Sequence, residues 1–180
     1  ALEKQLRLET RFRGPIPEQI QSDPTRLHQI LVNLVGNAIK FTEHGGITLR
    51  LELLPATSAS GPLLAIDVVD TGIGLSEADQ ARIFEAFAQA DATLARRHGG
   101  SGLGLTISRA LARLLGGDLT VSSAQGRGSV FRASIATGSL EGVGMLDAPQ
   151  AIASPEPLPA VAYAREPEPL RARVLLAEDG

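Results

Sequence analysis

Three polar side chains fall on one stripe of a helix early in the chain. Asn33 and Asn37 are four residues apart and Lys40 follows three later, so at helical periodicity they share a face. Leu27, Ile30, Leu31, Leu34, Val35 and Ala38 take the opposite side. Amide oxygens can ligate a hard cation such as magnesium, and an ammonium group suits a phosphate. A solvated polar face is the ordinary alternative for such a stripe.

A second group is Asp70-Thr71-Gly72-Ile73-Gly74. Asp70 has the parity of Leu64, Ile66 and Val68, so it points to the apolar side at a strand end. A carboxylate there is costly unless a donor meets it, and an adenine amino group is such a donor. Gly72 and Gly74 allow close backbone approach to a ring. An ordinary strand-end turn is the alternative, since Asp and Gly are common in turns.

The third group, Gly99-Gly100-Ser101-Gly102-Leu103-Gly104-Leu105, runs straight into a helix. Glycines before a helix start expose backbone amides, and the helix dipole adds ~0.3–1 kcal/mol per nearby anion. This describes a phosphate cradle. Arg96, Arg97 and His98 lie just upstream, in an irregular stretch that would close over a triphosphate as a lid. A flexible hinge and a solvated charge cluster are the competing readings. No Lys-Ser or Lys-Thr follows the glycines, so the segment is not a Walker A loop. The residues before it read as loop, which argues against a dinucleotide fingerprint.

These groups need elements to hold them. Leu6, Leu8 and Phe12 suggest a half-buried strand. Asp23-Pro24 is a helix start, and Gly45-Gly46 ends that helix. Ile47, Leu49, Leu51 and Leu53 alternate with polar residues as a strand, and Leu64 to Asp70 forms another. Ser76–Asp79 resembles a capping box opening a short helix. Leu103, Ile107, Leu111 and Leu114 mark a further helix, closed by Gly116-Gly117. Strands around Leu119–Ser122 and Val130–Ala136 form a hairpin across Gln125–Gly128. The expected fold is α+β: a two-layer α/β sandwich, its mixed, mostly antiparallel sheet covered by helices on one face.

Composition limits the function. The 180 residues carry a net charge of −3 from 17 basic and 20 acidic groups, which gives no sign of a nucleic-acid surface. With no cysteine, disulfides and thiolate metal sites are excluded. No apolar run reaches the ~18 residues needed to span a bilayer. Six of the 11 prolines fall within 138–171, a composition expected of an extended linker. The expected organisation is therefore a functional domain over 1–137, a Pro/Ala-rich linker over 138–171 and the start of something else over 172–180. The chain reads as a fragment of a longer protein.

The segment Asn33-Leu34-Val35-Gly36-Asn37-Ala38-Ile39-Lys40-Phe41-Thr42 resembles the N box of sensor histidine kinases. Asp70–Gly74 is similar to their first glycine box, Phe84-Glu85-Ala86-Phe87 to their phenylalanine box, and Gly100–Leu105 to their second glycine box. The alternative for the phenylalanines is core packing. Each motif is weak alone, but the ordered set is specific. The resemblance implies the histidine-kinase/gyrase/chaperone type of ATP-binding fold, with the nucleotide held between sheet and helices under a lid. It implies magnesium on Asn37, with Asn33 and Lys40 on the phosphate side and Phe41 near the adenine. Asp70 would accept from the adenine amino group, beside Gly72, Ile73 and Gly74. Gly100, Gly102, Leu103, Gly104 and Leu105 would border the phosphates, with Arg96 and Arg97 above them.

Arg173-Val174-Leu175-Leu176-Ala177-Glu178-Asp179 is similar to the first strand of a response-regulator receiver domain, and the end of a linker is the alternative. The parent would then be a hybrid histidine kinase, acting in the cytoplasm or as the cytoplasmic part of a membrane-anchored sensor. Its expected partners are its own dimerisation and phosphoacceptor domain, its receiver domain, and a downstream phosphotransfer or response-regulator protein. Histidine kinases phosphorylate a histidine normally followed by an acidic residue. His28 precedes Gln29, His44 precedes Gly45 and His98 precedes Gly99, so ATP binding without self-phosphorylation is expected, with the phosphoacceptor helices upstream of residue 1. Two other readings remain. One is a hydrolytic ATPase of the same fold, as in gyrase or mismatch-repair proteins, which place a water-activating glutamate where this chain has Asn33. The other is a regulatory domain that has lost nucleotide affinity.

Overall fold

The computed structural model describes residues 4–57, 61–87 and 102–147, all within one unit, Ala1–Pro149. Arg96, Arg97, His98, Gly99, Gly100, Ser101, the expected linker from 148 onward and the expected strand at 172–180 lie outside the described residues.

Alternating apolar residues build five main strands: β1 (Arg7–Phe12), β3 (Gly46–Leu54), β4 (Leu63–Asp70), β5 (Leu119–Ala124) and β6 (Gly128–Ala136). They form one sheet in the order β1-β3-β4-β6-β5. Only β1 and β3 run parallel; the other pairs are antiparallel. The mixed, mostly antiparallel sheet is as expected. Central β4 is buried along most of its length. Leu6, on the same parity as Leu8, is buried, whereas Leu8 is 54% exposed. The reason is position: β1 is an edge strand.

Helix α1 (Pro24–Phe41) starts as its sequence requires, with Asp23 accepting from the Thr25 and Arg26 backbone N–H groups and proline in the first turn. It ends at Phe41, before the glycine pair. Ile30, Leu34 and Ala38 face a core shared with Ile47, Val68, Leu119, Phe131 and Ala133. Ser76 accepts from Asp79 N–H to open α2 (Glu77–Arg82). Helix α3 (Gly104–Leu114) buries Ser108 and Ala112, and its half-buried Leu105 and Leu111 join the same core. The helices thus cover one face. The other face carries ion pairs, with Arg132 bonded to Asp67 at 2.6 and 3.0 Å and to Glu52 at 3.2 Å.

Two short strands were not foreseen. β2 (Ile16–Pro17) pairs antiparallel with β7 (Met145–Leu146). Residues 138–147, placed by composition in the linker, run back across the domain, and Glu18 N–H donates to Gly144 O at 2.9 Å. The physical cause is apolar burial: Leu146 joins Ile16, Ile20 and Leu27 in a second core cluster.

Leu34 is fully buried. Leu34→Ala is expected to cost about 2–5 kcal/mol, read as a lower denaturant midpoint with unchanged slope. The same truncation at Val32, 56% exposed, should stay within about 0.5 kcal/mol.

Asp118 supports the turn into β5. Its carboxyl is lowered from 3.8 to about 2, first by the Arg109 hydrogen bond, against desolvation, and then by Arg113 and Leu119 N–H. The folded value lies below the unfolded one. The stabilisation is therefore complete above the unfolded value and lost as pH falls through the folded one. Acid unfolding of Asp118→Asn should show a shallower loss of stability than wild type between 3.8 and about 2. Equal slopes in paired denaturant titrations would contradict this.

Candidate functional site

Asp70 closes β4, flanked by Ile47 of β3 and Ser129 of β6. Its residue is 6% exposed. Gly72 N–H donates to Asp70 Oδ1 at 2.8 Å, and Ser129 of β6 lies opposite it in the register. Burial pushes its pKa up from the ordinary value, and the polar groups of Gly72 and Ser129 only oppose that push. A carboxylate in this state has acceptor capacity for a further donor.

The loop after Asp70 lies against the end of α1. Ile73 N–H donates to Phe41 O at 3.4 Å. Any side chain at Gly72 would run into that same carbonyl, so the close approach requires glycine. Gly74 is seated against the Ala124 carbonyl, and Gly126 N–H donates to Ile73 O at 2.6 Å. Phe41 carries Lys40 over its ring, with Nζ 4.9 Å from the centroid.

The other end of the site lies two turns earlier on α1. Asn33 Nδ2 donates to Ser108 Oγ of α3 at 2.9 Å. A side chain at Gly104 would meet the Asn33 amide, so glycine is what lets the start of α3 sit against α1. Leu103 provides no side-chain cap to α3, and its first turn holds no acid. Gly102, with φ of 69°, turns the chain into that helix. Leu105 is half-buried against the core. Asn37 lies between the two ends, half-exposed.

Thus α1 touches both the Asp70 loop and the glycine-bordered start of α3. Asn33 and Phe41 are eight residues apart, roughly 12 Å along the helix axis. His28 and His44 are exposed on or beside α1.

The motif Phe84–Phe87 divides. Phe84 packs against the core with the Arg109 guanidinium 4.7 Å from its ring centroid, and its carbonyl accepts from Thr106 Oγ1 at 3.1 Å. Phe87 is 74% exposed. Core packing therefore accounts for the first phenylalanine and not the last.

Sequence reasoning missed Ser129 and Ser108. No spacing rule links Ser129 to Asp70; only the sheet register places them opposite one another. Among the described residues no group of three His, Cys, Asp or Glu side chains converges as a metal site. Nor is any helix among them long and apolar enough to cross a membrane.

The chain is 47% identical over 129 residues to the signal transduction histidine-protein kinase BarA of Escherichia coli K12, a match covering 72% of this chain and 14% of BarA. It is 45% identical over 163 residues to the autoinducer 2 sensor kinase/phosphatase LuxQ of Vibrio cholerae, covering 89% of this chain and 17% of LuxQ. The chain therefore spans about one-seventh to one-sixth of these curated relatives. Among solved structures, full-length ShkA in complex with AMPPNP is similar, with a TM-score of 0.62 and 35% identity over 83% of this chain and 28% of ShkA. Residues 22–138 match the family of histidine kinase-, DNA gyrase B- and HSP90-like ATPases. That stretch contains α1, the Asp70 loop and the start of α3, and the chain belongs to this family.

Proposed function

We propose that the chain binds magnesium–ATP and presents its γ-phosphate to a histidine on a separate dimerisation domain. It would then be the catalytic ATP-binding part of a hybrid sensor histidine kinase in two-component signalling. The observation that carries this reading is that one helix, α1, contacts the loop following a desolvated acceptor, Asp70, near its end and a glycine-bordered helix start two turns earlier. The relatives' names and the nucleotide analogue bound to ShkA support it.

In this reading Asp70 accepts from the adenine amino group, with Gly72, Ile73, Gly74 and Phe41 around the base. Lys40 faces phosphate. Gly102, Leu103, Gly104 and Leu105 offer backbone amides at the start of α3, favoured by its dipole. Gly100, Arg96 and Arg97 would complete the phosphate side. Magnesium characteristically takes one or two protein ligands and fills the rest of its shell with phosphate and water. Among the described residues no three His, Cys, Asp or Glu side chains converge, and of the two amides on the stripe Asn33 bonds Ser108 while Asn37 is half-exposed, which fits that habit. When bound, magnesium would neutralise charge on the transferring phosphates. Everything else asked of the protein is positioning.

The hydrolytic alternative needs a base at position 33. Asn33 is an amide with its nitrogen committed to Ser108, and an amide cannot deprotonate water. Residues 172–180 are read as the start of a receiver domain from the sequence Arg173–Asp179. The partners would be the parent's own dimerisation and receiver domains and a downstream phosphotransfer or regulator protein, all in the cytoplasm.

Saturating magnesium–ATP, at about 100 times the dissociation constant, should stabilise the fold by ~2.7 kcal/mol, a melting shift of several degrees. Asn37→Ala should shrink the magnesium-dependent part of that shift, and Asp70→Asn the whole. No shift at millimolar nucleotide would rule the reading out.

Acidification gives a separate check. Because burial raises the Asp70 pKa, the carboxylate is neutralised at a higher pH than an ordinary aspartate. ATP affinity should therefore begin to fall with acid earlier in wild type than in Asp70→Asn, as read by titration calorimetry. Parallel profiles would exclude Asp70 as the base acceptor.

A further inference from the structure

The end of α1 carries no glycine cap. Its capping residue, Thr42, is extended, with φ of −106° and ψ of 121°, whereas helices commonly close on a left-handed glycine. A helix end leaves four backbone carbonyls without partners inside the helix. Ala38 O accepts from Thr42 N–H, so the four here are those of Ile39, Lys40, Phe41 and Thr42. Each is met from outside. The Lys4 ammonium donates to Ile39 O at 2.9 Å, to Lys40 O at 3.0 Å and to Thr42 O at 3.3 Å. Phe41 O accepts from Ile73 N–H at 3.4 Å. An ammonium has three protons to donate, and Lys4 directs all three at this one turn.

Lys4 is aimed there by its own chain. Leu6 is buried in the core against which α1 packs, and Gln5, between the two, has φ of 52°. That left-handed backbone is uncommon for residues other than glycine and persists where the surroundings impose it. Here its neighbours do so, Leu6 turning into the core and Lys4 to the helix end. The two holds on the turn differ in strength. The Lys4 bonds are charge-assisted, which makes such bonds roughly twice as strong as neutral ones. The Ile73 bond is neutral and longer than the usual range. Between the two holds stand Lys40 and Phe41, with the Lys40 Nζ 4.9 Å from the Phe41 ring centroid.

We propose that Lys4 is a positioning residue for the nucleobase side of the site, holding the last turn of α1 so that Phe41 meets the base in one orientation. Without the ammonium, three of the four carbonyls lose this partner, and a nucleotide must order the turn as it binds. The inference rests on the reading that places Phe41 beside the adenine.

The test is a double-mutant cycle on ATP affinity, read by titration calorimetry on the whole chain. Lys4→Met keeps the length of the side chain and removes its donors. It should weaken ATP about two- to tenfold, the scale of ordering one side chain on binding. Lys4→Arg, which keeps the charge and the donors, should retain most of the affinity. In a Phe41→Ala background Lys4→Met should cost little further, because residues that act through one another are not additive. Gln5→Val is a second route that keeps every charge. A branched side chain opposes the left-handed backbone, which draws the ammonium away, and ATP should weaken as in Lys4→Met. Lys4 and Gln5 are exposed, so both variants should fold. If Lys4→Met and Gln5→Val lower the denaturant midpoint but leave ATP affinity unchanged, the contact is merely structural and the proposal fails. It fails too if Lys4→Met weakens ATP by the same factor with and without the Phe41 ring, since the ammonium then acts on the nucleotide by charge alone. If Phe41→Ala by itself leaves ATP affinity intact, the reading of Phe41 falls and this proposal with it.

Discussion

A carboxylate at the end of a buried strand is the constraint around which this end of the molecule is built. β4 carries Leu64, Ile66 and Val68 into the core on the parity of Asp70, so the last position inherits an apolar setting. Leaving a charge there uncompensated is expensive. The structure answers with the Gly72 N–H of the following turn and with polar Ser129 of β6 opposite in the register. Each neighbour imposes a demand of its own. The turn must approach Phe41 so closely that only glycine fits at position 72. The hairpin must close on the same loop, which the Gly126–Ile73 hydrogen bond secures. Burial still outweighs these polar neighbours and raises the pKa of the carboxyl, which leaves the carboxylate short of donors.

Helix α1 converts this local chemistry into a site with length. Ile30, Leu34 and Ala38 lock its rotation against the sheet, which fixes the direction of the Asn33–Asn37–Lys40 stripe. Its far end is held as well. Lys4 places its ammonium 2.9 Å from Ile39 O, 3.0 Å from Lys40 O and 3.3 Å from Thr42 O. A cation at a helix C-terminus satisfies orphan carbonyls and suits the dipole. Leu6, two residues on, is plugged into the same core. The helix that bears the polar stripe is thus clamped by the segment entering β1, and packing and electrostatics set its position together.

Much of this was legible in the residues. Asp23-Pro24 marks the start of α1, alternation marks β3 and β4, and Ser76 marks α2, because each rests on contacts within a few positions. The unread parts are those that depend on register or on distant partners. Ser129 carries no signal of its own; it matters because β6 pairs with β4 so that position 129 meets position 70. Ile16-Pro17 is too short for periodicity, and its partner Met145-Leu146 lies within what composition marks as linker. Few apolar residues are needed to dock such a strap when a half-formed cluster, Ile16, Ile20 and Leu27, is already waiting. Leu8 was misjudged for the same class of reason, since parity tells which face a residue takes but not whether anything covers that face.

Asn33 shows why a fold shared with hydrolases can be suited to handing a phosphate onward. Its amide donates to Ser108 on α3, and the absence of a Cβ at Gly104 gives it room. A glutamate at this position could not make that bond to the hydroxyl as a donor, and would place a negative charge against the start of α3. There the charge would compete with phosphate for the backbone amides favoured by the dipole. The amide avoids both conflicts, joining the two helices without placing a charge at the start of α3. It also removes the group that would activate water. With an amide in place of a base at position 33, a bound nucleotide would persist longer before an external nucleophile arrived, which is the property a histidine kinase requires of its ATP-binding domain.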